Sequence, residues 1–410
     1  MRVFRLLVVV WLGNCASHSA PRPNKADRPP ASGAAATTQT DSVGAHSAMS
    51  GGAEGRESAR ANAWREAHRL IDVHTHIDAS SERMAQALRV MNAVGIGLAV
   101  NLSGGTVTHA PGQPSQLEYT KRLADDAFPG RFVQYMNLDY TDWDAPDFAQ
   151  QAVAQVEQGA RLGAAGFKEF KRLGLFLRDR KGQLLNVDDP KLDPMWHRLG
   201  QLGMPVSIHV ADPKAFWGKF DRSNERWNEL EDHPRWWFGD PMRYPLRDDL
   251  LAQLERVVAR HPETTFVCVH LANNAEDLDW VDAQLSAHPN MMADVAARVP
   301  EIGRHDPERV RALFTKHADR ILFGTDFQVG DEMTLGSGGS GPPPTEADAI
   351  EFFRTHWRFF ETADSHFPHM TPIQGGWTIS GVHLGEDVLA KIYFENAKRL
   401  LAHSLVRRDN

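Results

Sequence analysis

Eight short apolar segments follow one another after residue 64, and this succession limits the folds that the chain can adopt. The segments are separated by roughly 25 to 60 residues, which is the spacing of β/α units. They comprise residues 70–76, 97–103, 132–139, 164–170, 205–210, 265–271, 290–295 and 321–326. Most are almost continuously apolar, as strands buried on both faces are. Eight such units with right-handed crossovers predict an α/β fold that closes into a (β/α)8 TIM barrel.

A doubly wound open sheet is the alternative to a closed barrel. The chain contains neither a G-x-G-x-x-G turn nor a Walker lysine loop to favour it. Helical periodicity predicts helices between the apolar segments, over residues 81–94, 147–162, 248–261, 280–287 and 307–318. Two insertions follow predicted strands at the end of a barrel where active sites lie, a tryptophan-rich segment (211–247) and a glycine-proline loop (328–345). Each either forms a wall of a binding site or is a surface segment without a role in binding.

The first apolar segment ends in a pair of histidines, His74 and His76. Residues i and i+2 of a strand point to the same side, so both imidazoles face the mouth of the predicted barrel. Imidazole suits zinc and related divalent metals, and two rings supply half of a tetrahedral ligand set. The pair therefore indicates a metal site, although an H-x-H sequence alone is a weak signal.

Three further polar residues end later apolar segments: His209, His270 and Asp326. A single strand-end histidine is more often a hydrogen-bonded core residue than a ligand. Here five candidate ligands fall at the carboxyl ends of predicted barrel strands, where side chains converge. Their shared position predicts one cluster.

These motifs resemble those of the amidohydrolase superfamily, and specifically its amidohydrolase-related branch. The resemblance covers residues 70–401 and rests on the Asp-Val-His-Thr-His segment (72–76), His209, His270, the Phe-Gly-Thr-Asp segment (323–326) and the Phe-Glu-Asn-Ala-Lys-Arg-Leu segment (394–400). It implies a TIM barrel in which His74, His76, His209 and Asp326 bind one divalent metal. It further implies that Asp326 accepts a proton from water and that His270 stabilises the developing oxyanion.

The number and identity of the metal ions stay open. Lys168 lies where two-metal relatives carry a bridging carboxylated lysine or a glutamate, whereas members of this branch mostly bind one metal. We therefore expect one ion, with Lys168 lining the site. The ligand set suits zinc best, and manganese, iron or cobalt also fit it.

The resemblance implies a hydrolase that uses a metal-activated water on an amide, lactone or ester. A decarboxylase with the same residues is the alternative, with Lys168, Arg243 or Arg298 binding the carboxylate of the substrate. Basic residues in the first insertion hint at a small acidic substrate, although a solvated basic face explains them nearly as well. A non-catalytic exported binding protein is the third reading, since a fold alone does not establish function.

The N-terminal residues predict export. Residues 1–15 have a basic start and a short apolar run, which is typical of a signal peptide and too short to span a bilayer. Cys15 ends a segment that resembles a lipobox, although Asn14 departs from it, so a lipid anchor and plain periplasmic secretion both remain open. Residues 16–63 contain no Leu, Ile, Phe, Trp or Tyr, and only one Val and one Met. This composition predicts a disordered linker before the barrel domain, residues 64–410. No basic stripe suggests a nucleic-acid partner, and nothing in the sequence fixes an oligomeric state.

Overall fold

A computed structural model describes residues 58–406, and the fold of this part is a mixed α/β arrangement around a curled sheet. Its strands are β1 (Leu70–Ile77), β2 (Ile96–Asn101), β3 (Phe132–Met136), β4 (Gly166–Glu169), β5 (Val206–Ile208), β6 (Phe266–Cys268), β7 (Met291–Asp294), β8 (Ile321–Leu322), β9 (Phe327–Val329), β10 (Met333–Leu335), β11 (Phe367–Pro368) and β12 (Thr378–Ile379). Every residue of β3 to β8 is buried. Burial on both faces explains why most of these strands are predominantly apolar, although β4 also buries Lys168 and Glu169.

The sheet is curled, and its strand order is consistent with closure into a barrel. Strands β1 to β8 pair in parallel in sequence order, and β9 pairs in parallel with the other edge of β1. Strand β1 therefore has β2 on one side and β9, which follows β8 in the chain, on the other. The amide of Val73 donates to the carbonyl of Phe323 at 3.0 Å, which adds a hydrogen bond across this seam. The arrangement is consistent with a TIM barrel.

Helices connect successive strands and cover the outside of the sheet. They are α1 (Ala59–Glu66), α2 (Ser81–Val94), α3 (Gln116–Ala127), α4 (Phe148–Arg161), α5 (Asp193–Gln201), α6 (Trp227–Asp232), α7 (Arg247–Arg260), α8 (Val269–Ala272), α9 (Leu278–Ala287), α10 (Val299–Ile302), α11 (Pro307–Lys316), α12 (Glu346–Glu361), α13 (Glu386–Ala390) and α14 (Asn396–Val406). Short 3-10 helices span Pro190–Leu192, Lys214–Trp217, Pro234–Trp236 and Pro372–Gln374, and a π-helix spans Lys391–Glu395.

Helix α2 shows how the local sequence sets these boundaries. The hydroxyl of Ser80 accepts a hydrogen bond from the amide of Arg83 at 3.1 Å and caps the first turn. Gly95 ends the helix with a φ of 81°, and a Cβ there would lie 2.5 Å from the carbonyl oxygen of Arg65. Only glycine meets both conditions, so the helix stops there and the chain enters β2.

Several predicted strands end earlier in the structure than in the sequence. The segment 265–271 is a strand only as far as Cys268, because His270 and Leu271 take left-handed conformations with φ values of 58° and 50°. The segment 321–326 is interrupted after Leu322, and Asp326 has a φ of 62° before β9 begins. The strand hydrogen bonds therefore end before these left-handed residues, whereas the apolar sequence pattern continues beyond them.

The two insertions carry regular structure of their own. The tryptophan-rich insertion contains α6 and two 3-10 helices. The segment predicted as a glycine-proline loop begins with β9 and β10, which form an antiparallel pair. The two insertions also contact each other, since His233 Nε2 lies 2.8 Å from the carbonyl oxygen of Gly338 and the amide of Ser340 donates to Asp232 at 2.7 Å.

The N-terminal boundary of the folded part differs from the sequence-based one. Helix α1 begins at Ala59, inside the segment predicted as a linker (16–63), because Ala61 and Trp64 are buried against the core. The predicted signal peptide, Cys15 and the rest of that linker lie outside the described residues. Within residues 58–406, none of the helices combines the length and apolar character needed to cross a bilayer.

Candidate metal centre

Two histidines of β1 and an aspartate that follows β8 converge at the carboxyl end of the sheet. Oδ1 of Asp326 lies 3.8 Å from Nε2 of His74 and 3.5 Å from Nε2 of His76. The amide of Asp326 donates to the carbonyl oxygen of His74 at 2.8 Å, and the left-handed backbone at Asp326 interrupts the strand beside β1. The two nitrogens and the carboxylate oxygen thus form one group of mutually close ligand atoms.

Outer partners hold the Nδ1 atoms of both β1 histidines. Nδ1 of His74 lies 2.9 Å from Oδ2 of Asp294, at the end of β7, and both side chains are buried. Since that carboxylate is an acceptor, His74 carries its proton on Nδ1 and presents a lone pair at Nε2. Nδ1 of His76 lies 2.7 Å from the hydroxyl of Ser103. Both Nε2 atoms are therefore turned toward Asp326.

A second pair of histidines lies beside the first. Nδ1 of His270 donates to the carbonyl oxygen of Ala296 at 2.7 Å, which leaves its Nε2 without a proton when the ring is neutral. That Nε2 lies 3.3 Å from Nδ1 of His209. On the other side of His209, Nε2 lies 3.2 Å from Oδ1 of Asp212, although the contact departs from hydrogen-bond alignment. His209 thus lies between two acceptors.

The electrostatics keep the rings of His76, His209 and His270 neutral. Burial, together with the neighbouring histidines and Lys168, lowers the pKa of His76 and of His270 well below the ordinary histidine value. Burial lowers the pKa of His209 to about 3 despite the adjacent Asp212. Burial alone would raise the pKa of Asp294, but His74 and the amide of His270 hold it below its ordinary value. Neutral imidazoles and ionised carboxylates are the states that bind metal ions.

This donor set fits a divalent metal. Nε2 of His74 and Nε2 of His270 carry lone pairs in a buried cluster, in which the centroids of the two rings lie 5.0 Å apart. A cation bound beside them satisfies such acceptors. A second group of close ligand atoms, from His74, His270 and Asp294, is less suited because Asp294 already accepts three hydrogen bonds.

The structure brings three of the four predicted ligands into one close group. His74, His76 and Asp326 form one group, whereas His209 belongs to neither close group and contacts His270 instead. The tautomer of His270 also makes its Nε2 an acceptor, which suits a ligand or a proton acceptor. The oxyanion-stabilising role expected for His270 needs a donor at that atom, so it is not available in this state.

The predicted substrate-binding cations lie in different surroundings. Lys168, on β4, is buried, and its charge contributes to the lowered pKa values of His76, His209 and His270. Arg298 follows β7, is 9% exposed, and places Nη2 3.6 Å from Oδ1 of Asp212.

Arg243, the third predicted cation, is exposed instead. Its guanidinium lies 5.7 Å from the ring centroid of Tyr244. None of its contacts among the described residues involves the histidines.

A further cation, Lys171, connects the site to the tryptophan-rich insertion. Its Nζ donates to Oδ2 of Asp212 at 2.7 Å and lies 4.4 Å from the ring centroid of Trp236. The ring of Phe170 lies 5.7 Å from that of His76. The mouth of the site is therefore lined by aromatic rings and by cations arranged around Asp212.

Sequence reasoning missed four of the polar residues at this site: Asp72, Ser103, Asp212 and Asp294. Asp294 carried a usable signal, because it is the last residue of β7 and lies one residue before the end of the seventh apolar segment. Asp72 accepts hydrogen bonds from the amides of His74 and Thr325, and burial raises its pKa to about 7. Ser103 and Asp212 lie in loops, where only the folded chain reveals their partners.

Comparison with known proteins agrees with the resemblance found in the motifs. The sequence model of the amidohydrolase family matches residues 71–402, so the chain belongs to this family of enzymes. No curated protein sequence is significantly similar to the chain.

Solved structures resemble it distantly. A 2,6-dihydroxybenzoate decarboxylase from Rhizobium is 16% identical, with a TM-score of 0.42 over 81% of this chain and 98% of that one. A dihydroxybenzoic acid decarboxylase with bound manganese, from a Polaromonas species, is 15% identical, with a TM-score of 0.45 over 81% and 96%. A dihydroorotase from Campylobacter jejuni is 13% identical, with a TM-score of 0.45 over 82% and 83%. At these scores no function is taken over from them.

Proposed function

We propose that this protein is a metal-dependent hydrolase that attacks a C–N or C–O bond of a small acidic molecule with water. The observation that carries the proposal is the convergence of His74 Nε2 and His76 Nε2 on Asp326 Oδ1, with both Nδ1 atoms held from behind. Outer partners of this kind fix the orientation of metal-binding imidazoles. Family membership agrees with it.

His74, His76 and Asp326 would hold the metal, with His209 as the fourth ligand. A bound divalent cation lowers the pKa of a water molecule and polarises a carbonyl group. If His209 and His270 together held a second ion, Lys168 would be the candidate bridging residue, as the resemblance implies. The metal content of the purified protein separates these arrangements.

The side chains of the protein supply the remaining chemistry. Asp326 accepts the proton of the attacking water and passes it to the leaving group. Nε2 of Gln328 donates to Oδ1 of Asp326 at 3.2 Å and keeps the carboxylate oriented. Lys168 places positive charge beside the histidines, where negative charge develops on the carbonyl oxygen.

Charge balance supports an acidic substrate. Among the described residues around the four histidines, three carboxylates (Asp212, Asp294, Asp326) are matched by three cations (Lys168, Lys171, Arg298). Asp72 adds at most one further negative charge. A divalent metal leaves the buried site with excess positive charge, which is costly unless it is compensated. A carboxylate of the substrate beside Arg298 compensates it.

Decarboxylation is the second candidate, and the cations around Asp212 favour it to the extent that they bind a carboxylate. The two reactions differ in their products. Hydrolysis in ¹⁸O-labelled water places the label in the product, whereas decarboxylation releases carbon dioxide and leaves the remaining molecule with one carbon fewer.

A panel of acidic and neutral lactones, esters and amides, together with unsaturated and aromatic acids, tests the proposal. We expect label incorporation that stops when a chelator removes the metal, returns when the metal is restored, and is absent in Asp326→Asn. Turnover that is unaffected by metal removal contradicts the metal role. A fully loaded protein that binds acids without converting any of them supports the exported binding protein instead.

We also propose that the protein is exported through its N-terminal segment, as a periplasmic or lipid-anchored protein. Mass spectrometry of the chain recovered from its native cells tests this. Cleavage before Cys15 with an added lipid mass supports an anchor, and an intact N-terminus contradicts export.

A further inference from the structure

Strand β6 leaves the sheet through a left-handed turn. The register pairs Ile208, the last residue of β5, with Cys268, the last residue of β6. Residues 270–273 then take φ values of 58°, 50°, 59° and 59°, and none of them is glycine. Left-handed backbone is unfavourable for residues that carry a Cβ, so contacts with the rest of the fold must hold this turn in place.

The turn deprives the end of β5 of its strand partner. Ile208 and Val210, the residues on either side of His209, are both buried. Buried backbone polar groups are costly unless they are hydrogen-bonded. The side chain of Asn273 supplies the missing partners, because its Nδ2 donates to the carbonyl oxygen of Ile208 at 3.3 Å and its Oδ1 accepts from the amide of Val210 at 2.8 Å.

The carboxamide of Asn273 thus takes the place of a neighbouring strand beside His209. In a parallel pair of strands, a residue bonds through its N–H and C=O groups to the residues before and after the one it faces. Asn273 offers the same donor and acceptor to the residues before and after His209. On the other side, the amide of His209 donates to the carbonyl oxygen of Glu169 at 3.1 Å. His209 is therefore held between two partners although β6 has already ended.

Asn273 is itself fixed within the fold. It is 3% exposed, and its amide donates to the carbonyl oxygen of Val269 at 2.7 Å. Its carbonyl oxygen accepts from Nη2 of Arg247, at the end of the tryptophan-rich insertion, at 3.0 Å. Asparagine also adopts left-handed backbone more readily than most residues with a side chain. The same turn carries His270, whose Nε2 lies 3.3 Å from Nδ1 of His209.

We propose that Asn273 is a positioning residue, whose carboxamide fixes the backbone on both sides of His209 and so directs this imidazole into the histidine cluster. The functional consequence rests on the proposed metal site, in which His209 is a ligand. Asn273 lies outside the ligand set and acts through the backbone of β5. The left-handed turn brings His270 and the carboxamide of Asn273 to His209 together.

The substitution Asn273→Gly separates the carboxamide from the turn, because glycine adopts a φ of 59° without strain and loses only the side chain. We expect metal affinity, measured by chelator competition, to fall about 10- to 100-fold. The absorption spectrum of the cobalt-loaded protein should also change, since His209 is no longer held in place. In the metal-free protein, hydrogen exchange read by mass spectrometry should be faster over residues 206–211.

Asn290→Ala is the matched control. Asn290 directly precedes β7, at the end of the barrel opposite to the histidines, and its Nδ2 donates to the carbonyl oxygens of Val258, His261 and Thr264 at 3.0, 3.0 and 3.1 Å. Its replacement removes side-chain hydrogen bonds to the backbone without touching β5. We expect a lower melting temperature together with unchanged metal affinity and an unchanged cobalt spectrum.

An equal loss of metal affinity in Asn273→Gly and Asn290→Ala would overturn the proposal, since the effect would then come from stability alone. Unchanged affinity and spectrum in Asn273→Gly would overturn it as well. If that variant does not fold, Asn273→Asp keeps the acceptor for Val210 and loses only the donor to Ile208, and wild-type affinity there would also contradict the role. A wild-type protein that binds no metal is distinguishable, because it removes the proposed function while hydrogen exchange still tests the contacts of Asn273.

Discussion

Replacing Arg298 tests whether the site selects acidic substrates. Arg298 is 9% exposed, its guanidinium donates to the carbonyl oxygen of Ala297 at 2.9 Å, and its contact to Asp212 is long, at 3.6 Å. An arginine has five N–H donors, so several remain for a ligand. Arg243, which is exposed, provides the matched control.

The expected magnitude follows from this difference in burial. Removing one partner of a buried charge pair costs about 2–5 kcal/mol, whereas an exposed pair contributes about 0–1 kcal/mol. We therefore expect Arg298→Met to lower kcat/KM for acidic substrates by at least about 30-fold, and Arg243→Met by less than about fivefold. Neutral analogues of the same substrates should lose little in either variant.

Steady-state kinetics on matched acidic and neutral substrates, at equal metal content, measure both effects. Competitive inhibition by simple carboxylates gives a second reading that does not depend on finding the best substrate. Equal losses for acidic and neutral substrates in Arg298→Met would refute the argument from charge, as would a loss in Arg243→Met as large as that in Arg298→Met.

Three further predictions concern the fold and the support of the site. Burial lowers the pKa of His356 to about 4, below the ordinary value of 6.5, so the folded state disfavours its protonation. The free energy of unfolding should therefore be highest above pH 6.5 and fall by up to about 3 kcal/mol toward pH 4. Urea titrations should show a flatter pH dependence in His356→Leu, and a dependence identical to the wild type contradicts this. A Cβ at Gly324 would lie 2.9 Å from Cβ of His74, so we expect Gly324→Ala to weaken metal binding about tenfold or more. Gly341→Ala is the control, because nothing lies within 4 Å of a Cβ there, and its metal affinity should stay unchanged. Equal metal affinities in the two variants argue against the close fit at Gly324. Asp294→Asn should weaken metal binding about 10- to 100-fold by releasing His74, and chelator competition that finds wild-type affinity would exclude that support.

The strands could be predicted because burial restricts which residues they contain. Strands buried on both faces are predominantly apolar, so all eight segments could be located. Helix α2 was predicted with its bounds from helical periodicity, and in the structure Ser80 and Gly95 mark its ends. The strand ends were less predictable, since left-handed turns at His270 and Asp326 depend on contacts across the sheet rather than on local propensity.

The site was predictable where position along a strand determines direction. His74 and His76 could be placed together because alternate residues of a strand share a face. The separation of His209 from their group could not, because it depends on the rotamers of His209 and Asp212 in the folded chain. Arg243 and Arg298 look alike in sequence, and only burial tells them apart.

The central claim is that the histidine cluster binds a divalent metal, and elemental analysis tests it most directly. The protein is purified without added metal and compared with the His74→Ala/His76→Ala double variant, whose folding is checked by circular dichroism. We predict about one equivalent of a transition metal, zinc first among the candidates, and its loss in the double variant. About two equivalents would assign His209, His270 and Lys168 to a second ion. A folded wild-type protein that holds no metal even after reconstitution would contradict the account.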